Sequence, residues 1–172
     1  MMANDTFLRD WVIKGERDQK QVSKYLDEIK TKYGTISTFF VSEQSRAYYH
    51  PGGILKFVSP DSQEDEWYFR VRELVQDFEI NIDTDKVSQH SMTIFINHKV
   101  TGFDGRYIGA TGVGLGVDTV QKLINSYSQK YKRHIFLIDR NGDVVLTRAG
   151  EEKGPLNISD MPGIGALAKQ IL

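Results

Sequence analysis

In the first part of the chain, apolar residues recur at helical spacing. Phe7, Leu8, Trp11 and Val12, then Val22, Tyr25, Leu26 and Ile29, mark one face of a helical segment from about Asn4 to Tyr33. Gly15 lies between the two groups, so the pattern fits one long helix with a weak point or two helices in sequence, and Gly34 supplies a C-terminal stop. The period then falls to two. Thr35 to Val41 (TISTFFV) is β-branched and aromatic and reads as a strand, with Ala47 to His50 as its hairpin partner, ended by Pro51-Gly52-Gly53. Ile54 to Glu66 reads as a loop leading into a short aromatic helix at Trp67. Phe78 to Asp83 and Met92 to Val100 alternate apolar and polar residues, the pattern of half-buried strands. Tyr107 to Val117 is a glycine-rich third strand in which Gly109, Gly112, Gly114 and Gly116 leave room for something to approach the backbone. Val117 to Tyr131 is amphipathic, with Asp118 as its N-cap. The runs IFLID and VVLTR meet through Asn141-Gly142, a strong hairpin signal, and Ser159 opens a helix expected to reach Leu172.

These elements predict an α+β chain with three parts: a long N-terminal helix (1–34), an antiparallel sheet unit (35–131) and a second, smaller unit (132–172). A strand pair followed by one helix cannot close a core. The second unit therefore either leans on the first or has its remaining strands beyond Leu172. The doubled Met1-Met2 and the uncapped ALAKQIL ending suit a chain cut at both ends from a longer one.

Composition narrows the function. The 172 residues carry 22 basic and 23 acidic side chains, so no basic field points to nucleic acid and no Lys/Arg block to an anionic membrane surface. The absence of cysteine excludes disulfides, thiol catalysis and cysteine-based zinc sites. No apolar run approaches the roughly 20 residues that span a bilayer. Gly112-x-Gly114-x-Gly116 lacks the third glycine of a dinucleotide fingerprint, because position 117 is valine. Asp83-x-Asp85 lacks the glycine and closing glutamate of a calcium loop. His50, His90, His98 and His134 are scattered without metal spacing, and no Ser/His/Asp arrangement stands out. No catalytic residue, cofactor or metal is expected.

Several parts of the sequence carry a family resemblance. The order runs from helix and strand pair to an Asp-x-Trp-Tyr-Phe helix, three strands ending in GRYIGATGVGLGVD, a helix and an FLIDRNGDVVL unit. It resembles the double Cache sensor domain, a pair of PAS-like extracytoplasmic modules found in bacterial membrane receptors, over about residues 5–170. The Trp67-Tyr68-Phe69 helix and the Gly109 to Asp118 junction are its most specific parts, and the wording is closest to receptors with a histidine kinase or diguanylate cyclase output. The resemblance implies a periplasmic domain of a membrane-anchored parent, with a small-molecule pocket in the first, membrane-distal unit. Trp67 and Tyr68 match the ligand-contacting aromatic pair, and Asn81 and Asp83 lie on the strand with further contacts. The amino-acid-binding branch also needs an Arg two residues before the Trp, a Tyr on the following strand and an Asp near the end of the last strand. Those positions hold Asp65, Asn81 and Gly114 here, which implies that the ligand is not a standard α-amino acid.

Each candidate has a plainer reading beside it. Trp67 and Tyr68 suit an aromatic ligand wall, or a helix packing its aromatic face into the core. Arg72 is a candidate for an anionic ligand. Arg70 reads as a helix-surface partner of Glu66, Glu73 or Asp77. The acids Asp61, Glu64, Asp65 and Glu66 read as complements of a helix N-terminus. The apolar N-terminal stripe suits a homodimer as well as the chain's own sheet. Two other functions compete with small-molecule sensing: a dimerisation or protein-docking module without a ligand, and a small hydrolase or isomerase using dispersed acids such as Asp83.

Overall fold

The computed structural model describes residues 2–85, 91–139, 141–148 and 157–172, with the side chains at 83–85 and 91–92 outside that description. His90 and Arg140 therefore lie outside the described residues. The chain divides into two compact units, Met1–Gly116 and Val117–Leu172. The helix after the third strand thus groups with the C-terminal unit, where the sequence reading had placed it with the first. One tie within that unit is the Gln121 side-chain amide, which donates to the Thr147 carbonyl at 3.1 Å.

The N-terminal segment is two helices, α1 (Thr6–Ile13) and α2 (Gln19–Tyr33). Asp5 caps α1 by accepting from the Phe7 N–H at 2.9 Å, and Asp18 caps α2 by accepting from Gln21 at 3.1 Å. Between them Gly15 (φ 84°) and Glu16 (φ 57°) are left-handed, which ends α1. Gly34 (φ 61°) stops α2 as expected. Leu8, Trp11, Val12, Val22 and Leu26 are buried together with Phe40 and Tyr49 of the sheet. The outer face of α2 carries exposed Lys20, Lys24 and Asp27, so the apolar stripe is occupied by the chain's own sheet.

Glu16 ties this helix pair to the sheet. Its carboxylate is buried and accepts from three hydroxyls: Ser42, Ser45 (2.6 Å) and Tyr49 (2.9 Å). Each bond is charge-assisted, and each ends on the β1–β2 hairpin.

The sheet has six strands in the order β3-β2-β1-β6-β5-β4, every neighbouring pair antiparallel. They are β1 (Ser37–Ser42), β2 (Ala47–His50), β3 (Gly53–Phe57), β4 (Phe78–Asp85), β5 (Ser91–Thr101) and β6 (Tyr107–Gly116). Strand β3 lies in the segment read as a loop. It is an edge strand whose Leu55 and Phe57 are exposed, so burial leaves little trace in its sequence. Pairing of β1 with β6, from Ser37↔Gly114 to Ser42↔Gly109, joins the hairpin to the three-strand meander. The room left by the glycines is filled from within. A Cβ on Gly112 would lie 2.5 Å from both the Ile96 carbonyl oxygen and the Phe39 ring.

Helix α3 (Glu66–Glu73) covers the other face of the sheet, with Tyr68 and Val71 packed on Phe39, Val41 and Ala110. On β4 this covered face is the polar one: Glu79 is 5% exposed, while Phe78 and Ile80 are 48% and 59% exposed, so the side that is buried is the reverse of the usual pattern. Strand β5 is buried on both faces, with Thr93 and Asn97 on one and Ile94 and Val100 on the other.

Burial also keeps four tyrosines protonated. The Tyr49 phenol is pushed from 10.0 up to about 12, chiefly by burial. Tyr25, Tyr68 and Tyr107 are raised as well, again with burial as the largest cause. A raised folded-state value means the native state holds its proton where the unfolded chain has lost it. Stability is then intact below pH 10 and declines as pH rises from 10 through about 12. Denaturant midpoints measured from pH 9 upward should fall steadily once pH 10 is passed, and a flat profile to pH 12 contradicts the assignment.

In the second unit, α4 has the expected bounds (Val117–Tyr131), but Asp118 sits in its first turn and is not its cap. The expected hairpin is β7 (Leu137–Ile138) with β8 (Val144–Leu146). Asp139 braces its turn by accepting from Asn141 (2.8 Å) and Asp143 (3.0 Å), and Gly142 takes φ 85°. The helix expected from Ser159 to Leu172 is instead two 3-10 turns, Ile158–Asp160 and Gly165–Leu167, and a single helical turn α5 (Ala168–Ile171). Pro162 has no N–H to donate and Gly163 is left-handed (φ 82°), so the pattern is interrupted there.

Candidate functional site

The antiparallel register places Asn81, Phe95, Gly114 and Ser37 in one row across β4, β5, β6 and β1, on the face that α3 covers. The next rows hold Glu79, Asn97, Gly112 and Phe39 on one side, and Asp83 opposite Thr93 on the other. Asn97 donates its amide to the Asn81 side-chain oxygen at 2.9 Å and to Glu79 at 3.3 Å. Ser37 contributes a hydroxyl that is buried and has no hydrogen-bond partner among the described residues. A Cβ on Gly114 would meet this hydroxyl at 2.4 Å, with Thr93 at 2.8 Å and Phe95 at 3.2 Å.

Trp67 is half-buried and stands edge-on to Phe39 (5.3 Å between centroids) and Tyr48 (6.3 Å). Phe39 also meets Phe95 edge-on at 6.5 Å, so an aromatic chain links Trp67 to the Asn81 row. Tyr68 is one helical step away and fully buried, its hydroxyl donating to Glu43 at 2.6 Å.

Arg72 is not brought to this row. It pairs with Glu73 (2.9 Å) and with Glu43 (3.4 Å) near the β1–β2 turn, at the other end of the sheet from Gly114. The structure therefore separates Arg72 from Asn81, Asp83 and Gly114. The helical period explains this, since Arg72 follows Tyr68 by one turn and shares its direction. Asp83 has its backbone in the row opposite Thr93, and its side chain lies outside the description.

Three features were missed from the sequence. Arg70 is not a helix-surface partner of its local acids. It grips Glu79 of β4 with a two-pronged bond, 2.9 Å on each prong, and this contact is the largest cause holding its guanidinium protonated. The alternation of β4 placed Glu79 on the polar face, but nothing local showed that α3 would bury that face. Asp65, in turn, does not serve a helix end. It is 2% exposed, ion-paired with Lys56 of β3, and accepts from the Ser59 N–H at 3.0 Å. Ser37 was legible only through the β1–β6 register.

No protein-family model matches the sequence. Solved structures do. The sensory domain of the Campylobacter jejuni chemoreceptor Tlp3, with isoleucine bound, superimposes with a TM-score of 0.58 at 17% identity over 85% of this chain and 57% of that one. The sensor domain of the Vibrio cholerae histidine kinase DctB gives 0.56 at 9% identity, covering 85% and 55%. The ligand-binding domain of the Pseudomonas aeruginosa amino-acid chemoreceptor PctC, in complex with GABA, gives 0.53 at 12% identity, covering 77% and 58%. The chain has the mixed α+β, Cache-like fold of these sensor domains and spans between 55% and 58% of their lengths. Each of these neighbours is a sensory or ligand-binding domain, and none is a catalytic one.

Proposed function

We propose that this chain is the extracytoplasmic ligand-sensing domain of a membrane-bound bacterial signalling receptor and carries out no reaction itself. A small molecule binds under α3, against the row formed by Asn81, Gly114 and Ser37, with Trp67 as its aromatic wall and Asp83 at its margin. Tyr68 acts from the core by fixing the helix, and Arg72 takes no part. The first unit is the membrane-distal, ligand-holding one, and the signal passes through the second to a cytoplasmic histidine kinase or diguanylate cyclase. The observation that carries the reading is the Ser37 hydroxyl, buried without a partner in the row where Asn81 and Gly114 meet. Buried polar groups are normally satisfied, and a ligand atom is one way to satisfy this one.

The ligand is not a standard α-amino acid in this proposal. The position where the amino-acid-binding branch carries a carboxylate-clamping Arg is occupied by Asp65, and that residue is committed to Lys56 and Ser59. Gly114 offers no carboxylate for an ammonium group. Homodimerisation through α1 and α2 stays in the proposal through polar contacts only, since their apolar stripe is buried on the sheet. Sedimentation as a monomer at high concentration would remove it.

A thermal-shift screen of metabolites tests the pocket, because a ligand that binds the native state raises its melting temperature by mass action. A ligand present at about a hundred times its dissociation constant adds roughly 2.7 kcal/mol. Trp67→Ala and Asp83→Ala should each remove most of that shift while the unliganded proteins still melt cooperatively. A shift retained in both variants contradicts the placement.

A further inference from the structure

A cavity of about 300 Å³ opens on the opposite face of the sheet from α3. It lies between the N-terminal 3-10 turn Met2–Asn4, the C-terminal end of α2 and strands β5 and β6, and Ile29, Ile96, Val113 and Leu115 form much of its wall. No Asp, Glu, Lys or Arg lines it. Polar chemistry comes chiefly from two side chains. Thr35 is 7% exposed, and its hydroxyl has no hydrogen-bond partner among the described residues. Its backbone is fixed by the helix stop: Gly34 is left-handed (φ 61°) and the Thr35 N–H bonds back to the Lys30 carbonyl at 3.1 Å. The second is His98, whose Nδ1 lies 2.8 Å from the Lys99 carbonyl oxygen. A carbonyl only accepts, so the Nδ1 that faces it is the donor. Phe78 stacks on this ring at 5.9 Å and 24°, holding its plane.

We infer that this cavity is a second ligand site, for a small uncharged amphiphile: an alcohol with an apolar body of about ten non-hydrogen atoms. The apolar wall takes the body, since burial of its surface drives entry. A hydroxyl is the matching head group, because its oxygen can accept from Thr35 and it brings no charge into the apolar wall. A charged head group would be buried without a counter-charge, which the wall does not supply. The site shares no residue with the one proposed under α3, and its test does not depend on that reading.

The test is a titration of the protein, ¹³C-labelled at Ile, Leu and Val methyls, with 1-octanol. The shifts should be confined to the methyls of Ile29, Ile96, Val113 and Leu115. Thr35→Val should weaken octanol binding about fivefold, the loss of one hydrogen bond, and Val113→Phe, which fills the cavity, should abolish it. Sodium octanoate should bind far more weakly than the alcohol. The inference is overturned if the four methyls do not respond up to the solubility limit, or if Thr35→Val binds octanol unchanged. Octanoate binding as tightly as the alcohol would overturn it too. So would shifts that follow protein concentration and not octanol, because the cavity would then be covered by a second copy of the chain.

Discussion

Glu16→Ala should lower the stability of the first unit by about 3 kcal/mol, the largest loss expected from any single side chain outside the apolar core. The reasoning is local. Ser42 and Tyr49 are buried, and their hydroxyls donate to the Glu16 carboxylate together with Ser45. Truncation leaves those donors unsatisfied, at about 1–3 kcal/mol for each that water cannot reach. It also releases the α1–α2 junction, where Glu16 holds a left-handed conformation (φ 57°), from the β1–β2 hairpin. For a chain of this size the melting temperature should fall by roughly 6–12 °C. Glu16→Gln keeps the shape but brings an amide N–H₂ against donors, so it should recover only part of the loss. A melting curve unchanged in Glu16→Ala would show that the three bonds contribute nothing net.

Arg70→Met should cost about 2–3 kcal/mol. Removing one partner of a buried ion pair commonly costs 3–5 kcal/mol, because the other charge is left uncompensated. The figure is discounted here because the Arg70 side chain is 45% exposed while Glu79 is 4%. The informative comparison is the double variant Arg70→Met/Glu79→Gln. It removes the orphaned charge as well as its partner, so it should recover most of the stability. Additive losses in the double variant would mean that the pair does not couple α3 to β4, and that α3 is held by its apolar contacts alone.

Much of the fold was legible because the sequence periods are clean. The two N-terminal apolar groups and Gly34 mark the helices, and the alternations of β4, β5 and β6 mark the meander. What the pattern could not give was the buried side. On β4 the apolar Phe78 and Ile80 face outward, whereas Glu79 is buried under Arg70. A period of two states that faces differ, and only the partner element decides which face is covered. Strand β3 was hidden for a related reason, since an exposed edge strand needs no apolar face. The C-terminal helix was over-read because Pro162-Gly163 outweighs the helical pattern around it.

The candidate site divides in the same way. Asn81 and Gly114 share a row because β4, β5 and β6 form a local meander, whereas Trp67 is linked to that row through Phe39 and Phe95. Ser37 joins them only through β1–β6, a contact between strands far apart in sequence, and so had no local signature. On α3 the two arginines diverge: position 70 reaches Glu79 and position 72 reaches Glu43.

The central claim is tested most directly by a crystal structure of the chain with the metabolite that stabilises it most. The expected result is density between α3 and strands β4 to β6, in contact with Trp67 and Asn81 and within hydrogen-bond distance of the Ser37 hydroxyl. Density for that metabolite anywhere else, with the Ser37 row closed by side chains alone, would contradict it.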